Sequence, residues 1–167
     1  MKVWQKTTII TIVLFFLGVL GAGWVYRPVV DYYISEPTET VNFERGMLPL
    51  SLNVRNRGEV DVSLALILKV ERANISTQTI KPWMDYNETE LKIHVGLEKK
   101  MESYRSYEVY ISPVNNPENF TVSYSIVNTS GFSISGIIGR LFLEPHGYYA
   151  THAIYNRTDT NTYEILT

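Results

Sequence analysis

The chain has no cysteine in its 167 residues. That excludes disulfide scaffolds, Cys-ligated zinc, iron–sulfur clusters, thiolate nucleophiles and a lipidated signal. Histidine is scarce as well, with only His94, His146 and His152. A zinc site needs several ligands within about 2.0–2.2 Å of one ion, and His146 and His152 meet only if a turn intervenes. Each reads as a surface histidine, so no metal and no cofactor is expected. Charge of one sign is also missing: 15 basic against 17 acidic residues give a net charge of −2. A nucleic-acid binder normally carries a strongly basic face, and no such partner is expected. The phosphate-loop motif, the dinucleotide fingerprint after a strand and G-x-S-x-G are absent. Glu88 and Glu90 read as solvated charges rather than an acid/base pair. Nothing points to an enzyme.

What the chain has in excess is hydrophobicity near one end. Between Lys6 and Arg27 lie twenty residues without a charge, TTIITIVLFFLGVLGAGWVY. At about 1.5 Å per residue a helix of that length spans about 30 Å, the thickness of a bilayer's hydrocarbon core. Trp4 precedes the run and Trp24 and Tyr26 close it, where aromatic rings favour the two membrane interfaces. Arg27-Pro28 then supplies a charge that resists burial and a proline that disfavours helix before it. The reading is one transmembrane helix over residues 7–27, with 1–6 as a cytoplasmic tail. The competing reading is a cleaved secretory signal, with Lys2 and Lys6 as its n-region and Gly21-Ala22-Gly23 before the cut. The run exceeds the ~7–15 residues of a usual h-region, which favours a retained anchor. Lys2 and Lys6 precede the helix while Asp31, Glu36, Glu39 and Glu44 follow it, so the N-terminus is expected inside and the rest outside a cell membrane. Gly18 and Ala22, four residues apart, form a small-xxx-small face for a partner helix; the alternative is the ordinary glycine content of a membrane helix.

Asn-x-Ser/Thr acceptors for N-glycosylation stand at Asn74, Asn87, Asn119, Asn128 and Asn156. Composition alone yields about two such tripeptides, against the five present, all after the apolar run. A glycosylated outer surface is the expectation, one that fits an archaeal surface because disulfides are missing.

The outer part reads as strands. Val60, Val62, Leu64, Leu66, Leu68 and Val70 alternate with Asp61, Ser63, Ala65, Ile67, Lys69 and Glu71, which buries one face of a strand. Leu48, Leu50, Leu52 and Val54 alternate in the same way, and Asn56-Arg57-Gly58 between the runs predicts a hairpin. Pro49 marks an edge or a strand's start. Further alternation falls at Leu91–Val95, Tyr107–Ile111 and Phe120–Ile126, with weaker candidates at 77–80, 132–138, 140–143, 148–155 and 162–166. No long segment after the apolar run shows a 3.6 period. The expectation is an all-β fold: an antiparallel, immunoglobulin-like sandwich of about seven to nine strands over 41–167, after a juxtamembrane stalk at 28–40.

The stretch LSLNVRNRGEVDVSLALIL is similar to the opening hairpin of adhesion-type immunoglobulin-like modules of prokaryotic and archaeal surfaces. An anchor helix plus a sandwich also resembles stator components of archaeal motility filaments and small single-span subunits of archaeal membrane oxidoreductases. These likenesses carry over no functional residue. Two stretches are candidate contact surfaces. Tyr32 and Tyr33 lie in VVDYYI as a stalk, an added strand, a subunit contact or interfacial rings. Ile137, Ile138 and Phe142 lie in the glycine-rich Gly131–Gly147, read as a bulged core strand pair or an apolar loop that docks a partner or the bilayer. The function expected is a single-span glycosylated subunit that contacts membrane lipid and binds an integral membrane or cell-surface protein. The alternatives are a self-assembling pilin-like or surface-layer component, hence a homo-oligomer, or a non-catalytic accessory subunit of a quinone-linked membrane oxidoreductase.

Overall fold

The computed structural model describes residues 3–35, 40–43, 46–76, 83–131, 133–147 and 151–166. Glu36, Glu39, Glu44 and the weak strand candidate at 77–80 lie outside these. In chain order the elements are α1 (Val3–Val25), β1 (Val29–Ser35), β2 (Thr40–Asn42), β3 (Leu48–Asn56), β4 (Val62–Glu71), β5 (Ala73–Ser76), β6 (Met84–Tyr86), β7 (Glu90–Leu97), β8 (Arg105–Pro113), β9 (Asn119–Asn128), α2 (Ile134–Phe142), β10 (Glu144–Gly147), β11 (His152–Asp159) and β12 (Thr162–Leu166).

The period-two pattern decides the core. β4 buries Val62, Leu64, Leu66, Leu68 and Val70, β3 buries Leu48, Leu50, Leu52 and Val54, and β7 buries Leu91, Ile93, Val95 and Leu97. Each fully buried aliphatic side chain contributes about 1.5–3 kcal/mol, so the three strands alone supply much of the driving force. The strands form two sheets, ordered β10-β1-β3-β8-β5 and β2-β12-β11-β9-β4-β7-β6, whose apolar faces share one core. All pairings between described strands are antiparallel except β1 with β10, which is parallel. Phe120 stacks on Tyr155 at 4.5 Å, and Phe43 and Tyr163 close around the pair edge-on. The all-β sandwich behind an apolar helix is therefore present, with twelve strands among the described residues rather than seven to nine, because short edge pieces such as β2, β5, β6 and β10 are too brief to show alternation.

Three expectations are corrected. The hairpin between β3 and β4 does not form: β3 pairs with β1 and β8, and β4 with β7 and β9, in the other sheet. The two apolar faces oppose each other across the core, and residues 57–61 carry the chain from sheet to sheet. Asn56 organises that arch, accepting from Gly58 N–H at 2.9 Å and donating to the Val60 carbonyl at 2.8 Å. Pro49 does lie at a strand's start, one residue into β3 and before β1 pairing begins at Ser51. Second, residues 29–35 of the expected stalk are a strand inside the five-stranded sheet, flanked by β3 and β10. Third, the candidate strands at 132–138 and 140–143 give way to the helix α2 over 134–142, with Phe132 outside the described residues. Apolar residues at 134, 137, 138, 141 and 142 follow helical three–four spacing, and Ser133 caps the N-terminus by accepting from Gly136 N–H at 3.1 Å.

Candidate functional site

α1 joins the sandwich without a linker. Only Tyr26, Arg27 and Pro28 separate it from β1. Tyr26 N–H still donates to the Ala22 carbonyl at 2.8 Å, and Arg57 N–H ties the arch to the Val29 carbonyl at 2.7 Å. Gly58 lies so close that a Cβ there would come within 2.5 Å of Arg27 O, Pro28 Cα and Val29 N. Arg27 forms an ion pair with Glu144 of β10, and its guanidinium lies 4.5 Å from the Trp24 ring. Gly23, the buried residue of α1, abuts the Phe142 ring of α2 so closely that no Cβ fits between them. Helix, arch, edge strand and α2 therefore meet at one end of the sandwich.

On the outer face of the five-stranded sheet at that end is a polar cluster. Strand alternation points Val30 and Ile34 into the core and Asp31 and Tyr33 outward. Asp31 is nonetheless fully buried, because two arginines cover it. Arg57 grips both carboxylate oxygens, Nε to Oδ2 at 2.5 Å and Nη2 to Oδ1 at 2.8 Å, and Arg55 Nη2 reaches Oδ2 at 2.8 Å. Burial alone raises this carboxyl's pKa, but the hydrogen bonds and charges of Arg57 and Arg55 outweigh it and hold it below the usual carboxylate value. Arg55 also lies 4.4 Å from the Tyr104 ring, against which Tyr33 packs edge-on at 5.1 Å. Asn53, nearly buried, accepts from Ser106 Oγ at 2.6 Å. The arrangement locks β1 to β3; both carboxylate oxygens of Asp31 are committed, so it has no free base to offer a substrate.

Tyr32 and Tyr33, expected together at a contact surface, point opposite ways. Tyr32 packs against the core, edge-on to Tyr124 at 5.3 Å, and Tyr33 belongs to the outer cluster. Of the α2 candidates, Ile137 is exposed, Ile138 is half-buried, and Phe142 is half-buried against Gly23. Gly18 and Ala22 are exposed on α1, and a Cβ at Gly18 would meet nothing within 4 Å. The packing glycine that sequence reading passed over is Gly23; small size near the end of the apolar run was the available signal. His94 pairs with Asp85 at 3.1 Å, His146 with Glu144 at 3.0 Å and His152 with Ser123 at 2.9 Å. Among the described residues no three His, Asp or Glu side chains converge. A shallow cleft of about 340 Å³ opens beside the N-terminus of α2, lined by Asp61, Ser63, Glu98 and Ser130 among others.

The strand registers sort the five sequons between the two ends. Asn74 pairs with Ser112 near the end of β8, Asn119 with Asn156, and Asn87 precedes the start of β7, all at the end far from α1. Asn128 pairs with Leu64 at the α1 end, and its side-chain nitrogen is buried. No protein-family model matches the chain, and no curated protein matches it.

Proposed function

We propose that this chain is a single-span membrane subunit that holds an outward-facing β-sandwich at a fixed height and binds another membrane or cell-surface protein. The observation that carries this reading is the linker-free join: an apolar helix whose outer end is packed, ion-paired and hydrogen-bonded into the domain it precedes. α1 has a mean hydropathy of 2.3 over its most apolar window, only 6% of which is buried against the rest of the chain. Thr7, Thr8 and Thr11 return their hydroxyls to the carbonyls four residues earlier at 2.9–3.1 Å, which satisfies them where water is excluded. An anchor serving only to retain a domain tolerates a flexible tether; a rigid join supports a role in which orientation matters, as in docking to a neighbouring subunit. Lys2 and Lys6 support an inside N-terminus.

The immunoglobulin-like likeness, the archaeal surface setting and glycosylation belong to the same proposal. Sugars are assigned to Asn74, Asn87, Asn119 and Asn156 at the membrane-distal end. Asn128 is left bare, because transfer needs its amide nitrogen accessible. Asn74, Asn119 and Asn156 project from the outer sheet faces at their distal ends, so the parts of those faces nearer α1 and the α1 end itself then remain sugar-free for protein contact. Purification of the tagged full chain in mild detergent, followed by mass spectrometry, tests this reading. A stoichiometric membrane companion, with sugar on distal sequons only, is expected. A monomer without companions would refute it.

A further inference from the structure

We infer that α2 is a membrane-surface helix: it lies against the bilayer beside α1 and inserts Ile137 and Leu141 at the boundary of headgroups and acyl chains. The inference rests on the proposed role of α1 as an anchor and adds a second, lateral lipid contact.

Three observations converge on it. First, depth: Phe142 packs on Gly23, two residues from the end of α1, or about 3 Å along its axis. The C-terminal end of α2, at Phe142 and its neighbour Leu141, therefore lies near the level of Trp24 and Tyr26, the rings that mark the interface. Second, the faces of α2 are already divided. Gly136 is buried, and Arg140, one turn on, donates from Nε to the Ser130 carbonyl at 2.8 Å, so that side is held by the sandwich. Phe142 occupies the side toward α1. Between them Ile137 and Leu141, again one turn apart, stand 43% and 65% exposed. Third, proximity: Phe142 meets α1 at Gly23, and Leu20, three residues before it on α1, is exposed and apolar. Short amphipathic helices settle in this zone with their apolar side about 5–10 Å into the headgroup boundary. Two lipid contacts fix the tilt of the sandwich, which one helix alone leaves free to swivel.

The cysteine-free sequence makes the test clean, because one introduced cysteine is the sole labelling site. Full-length Leu141→Cys and, separately, Ile137→Cys would carry an environment-sensitive fluorophore in phosphatidylcholine vesicles. Leu20→Cys reports α1, and Val114→Cys, exposed at the distal end, reports water. At 141 and 137 the expected result is blue-shifted emission, quenching by spin-labelled lipid and loss of quenching by aqueous iodide, as at 20 and opposite to 114. Iodide quenching at 141 and 137 with lipid quenching retained at 20 overturns the surface helix and leaves the anchor standing. Shielding of 141 and 137 from both quenchers assigns the stripe to a second copy of the chain and also overturns it. Iodide quenching at 20 removes the anchor itself.

Discussion

Asp31→Ala is expected to destabilise the sandwich by about 3 kcal/mol, measured by chemical denaturation of the full chain in detergent followed by near-ultraviolet circular dichroism. The carboxylate is fully buried, whereas Arg55 and Arg57 are partly exposed and regain water when it is removed. That access keeps the cost near the lower end of the ~3–5 kcal/mol seen when buried pairs lose a partner. Removing both arginines also removes the cover over Asp31, whose carboxylate then regains water on the outer sheet face, so Arg55→Ala with Arg57→Ala is expected to cost about as much, ~3 kcal/mol. Both lesions remove the same pH dependence. In the native chain the folded pKa of Asp31 lies below its unfolded value. Its stabilisation is thus complete above the ordinary carboxylate pKa of about 3.9 and is lost as pH falls from there through the lower folded value. Without the arginines the carboxyl regains water and loses its partners, so its folded pKa returns toward the unfolded value. The double variant then loses stability relative to the native chain as pH rises through the carboxylate range and recovers part of it in acid. Matching pH slopes for the native chain and the double variant would show that the cluster does not hold the carboxyl charged.

Gly58→Val is the second large effect. The three atoms nearest a Cβ at this position, each 2.5 Å away, belong to the backbone of Arg27, Pro28 and Val29 and have no rotamer to yield. Relief requires pushing the outer end of α1 away from the arch, which breaks the Arg57 N–H bond to the Val29 carbonyl. The expected cost is about 3 kcal/mol, at the upper end of ordinary overpacking. The tyrosine packing at β1 should loosen with it. Gly96→Ala is the control: a Cβ there meets nothing within 4 Å, and a change within about 0.5 kcal/mol is expected. Equal stability of the two variants in the same denaturation assay would mean that α1 and the arch are not packed together.

What could be read from the residues was the set of faces. Leu64, Leu66 and Leu68 alternate strictly, and the strand, its buried side and its solvent side all follow from period two. Neighbours did not follow. Leu48–Val54 and Val62–Val70 carry the same pattern whether they pair in one sheet or face each other across the core, and the Asn-Arg-Gly between them suits an arch as well as a hairpin. β1 was obscured by Asp31, a charge in mid-strand that only the two distant arginines make tolerable; Arg55 and Arg57 lie 24 and 26 residues away. α2 was obscured differently. Its three–four spacing is present at 134, 137, 138, 141 and 142, but Gly136 and Gly139 read as strand bulges in a stretch too short for a long helical pattern. The join at Gly23 and Phe142 links residues more than a hundred positions apart, and no local periodicity reports such a contact. The sequons were legible singly, but their sorting, four to the far end and Asn128 to the α1 end, came from the strand registers.

The proposed role requires α1 to hold the sandwich to a bilayer. Washing membranes that contain the full chain with alkaline carbonate tests this most directly, since the treatment strips proteins held only by surface contacts. The chain is predicted to stay in the membrane pellet with α1 attached; its recovery whole in the soluble wash would contradict the account.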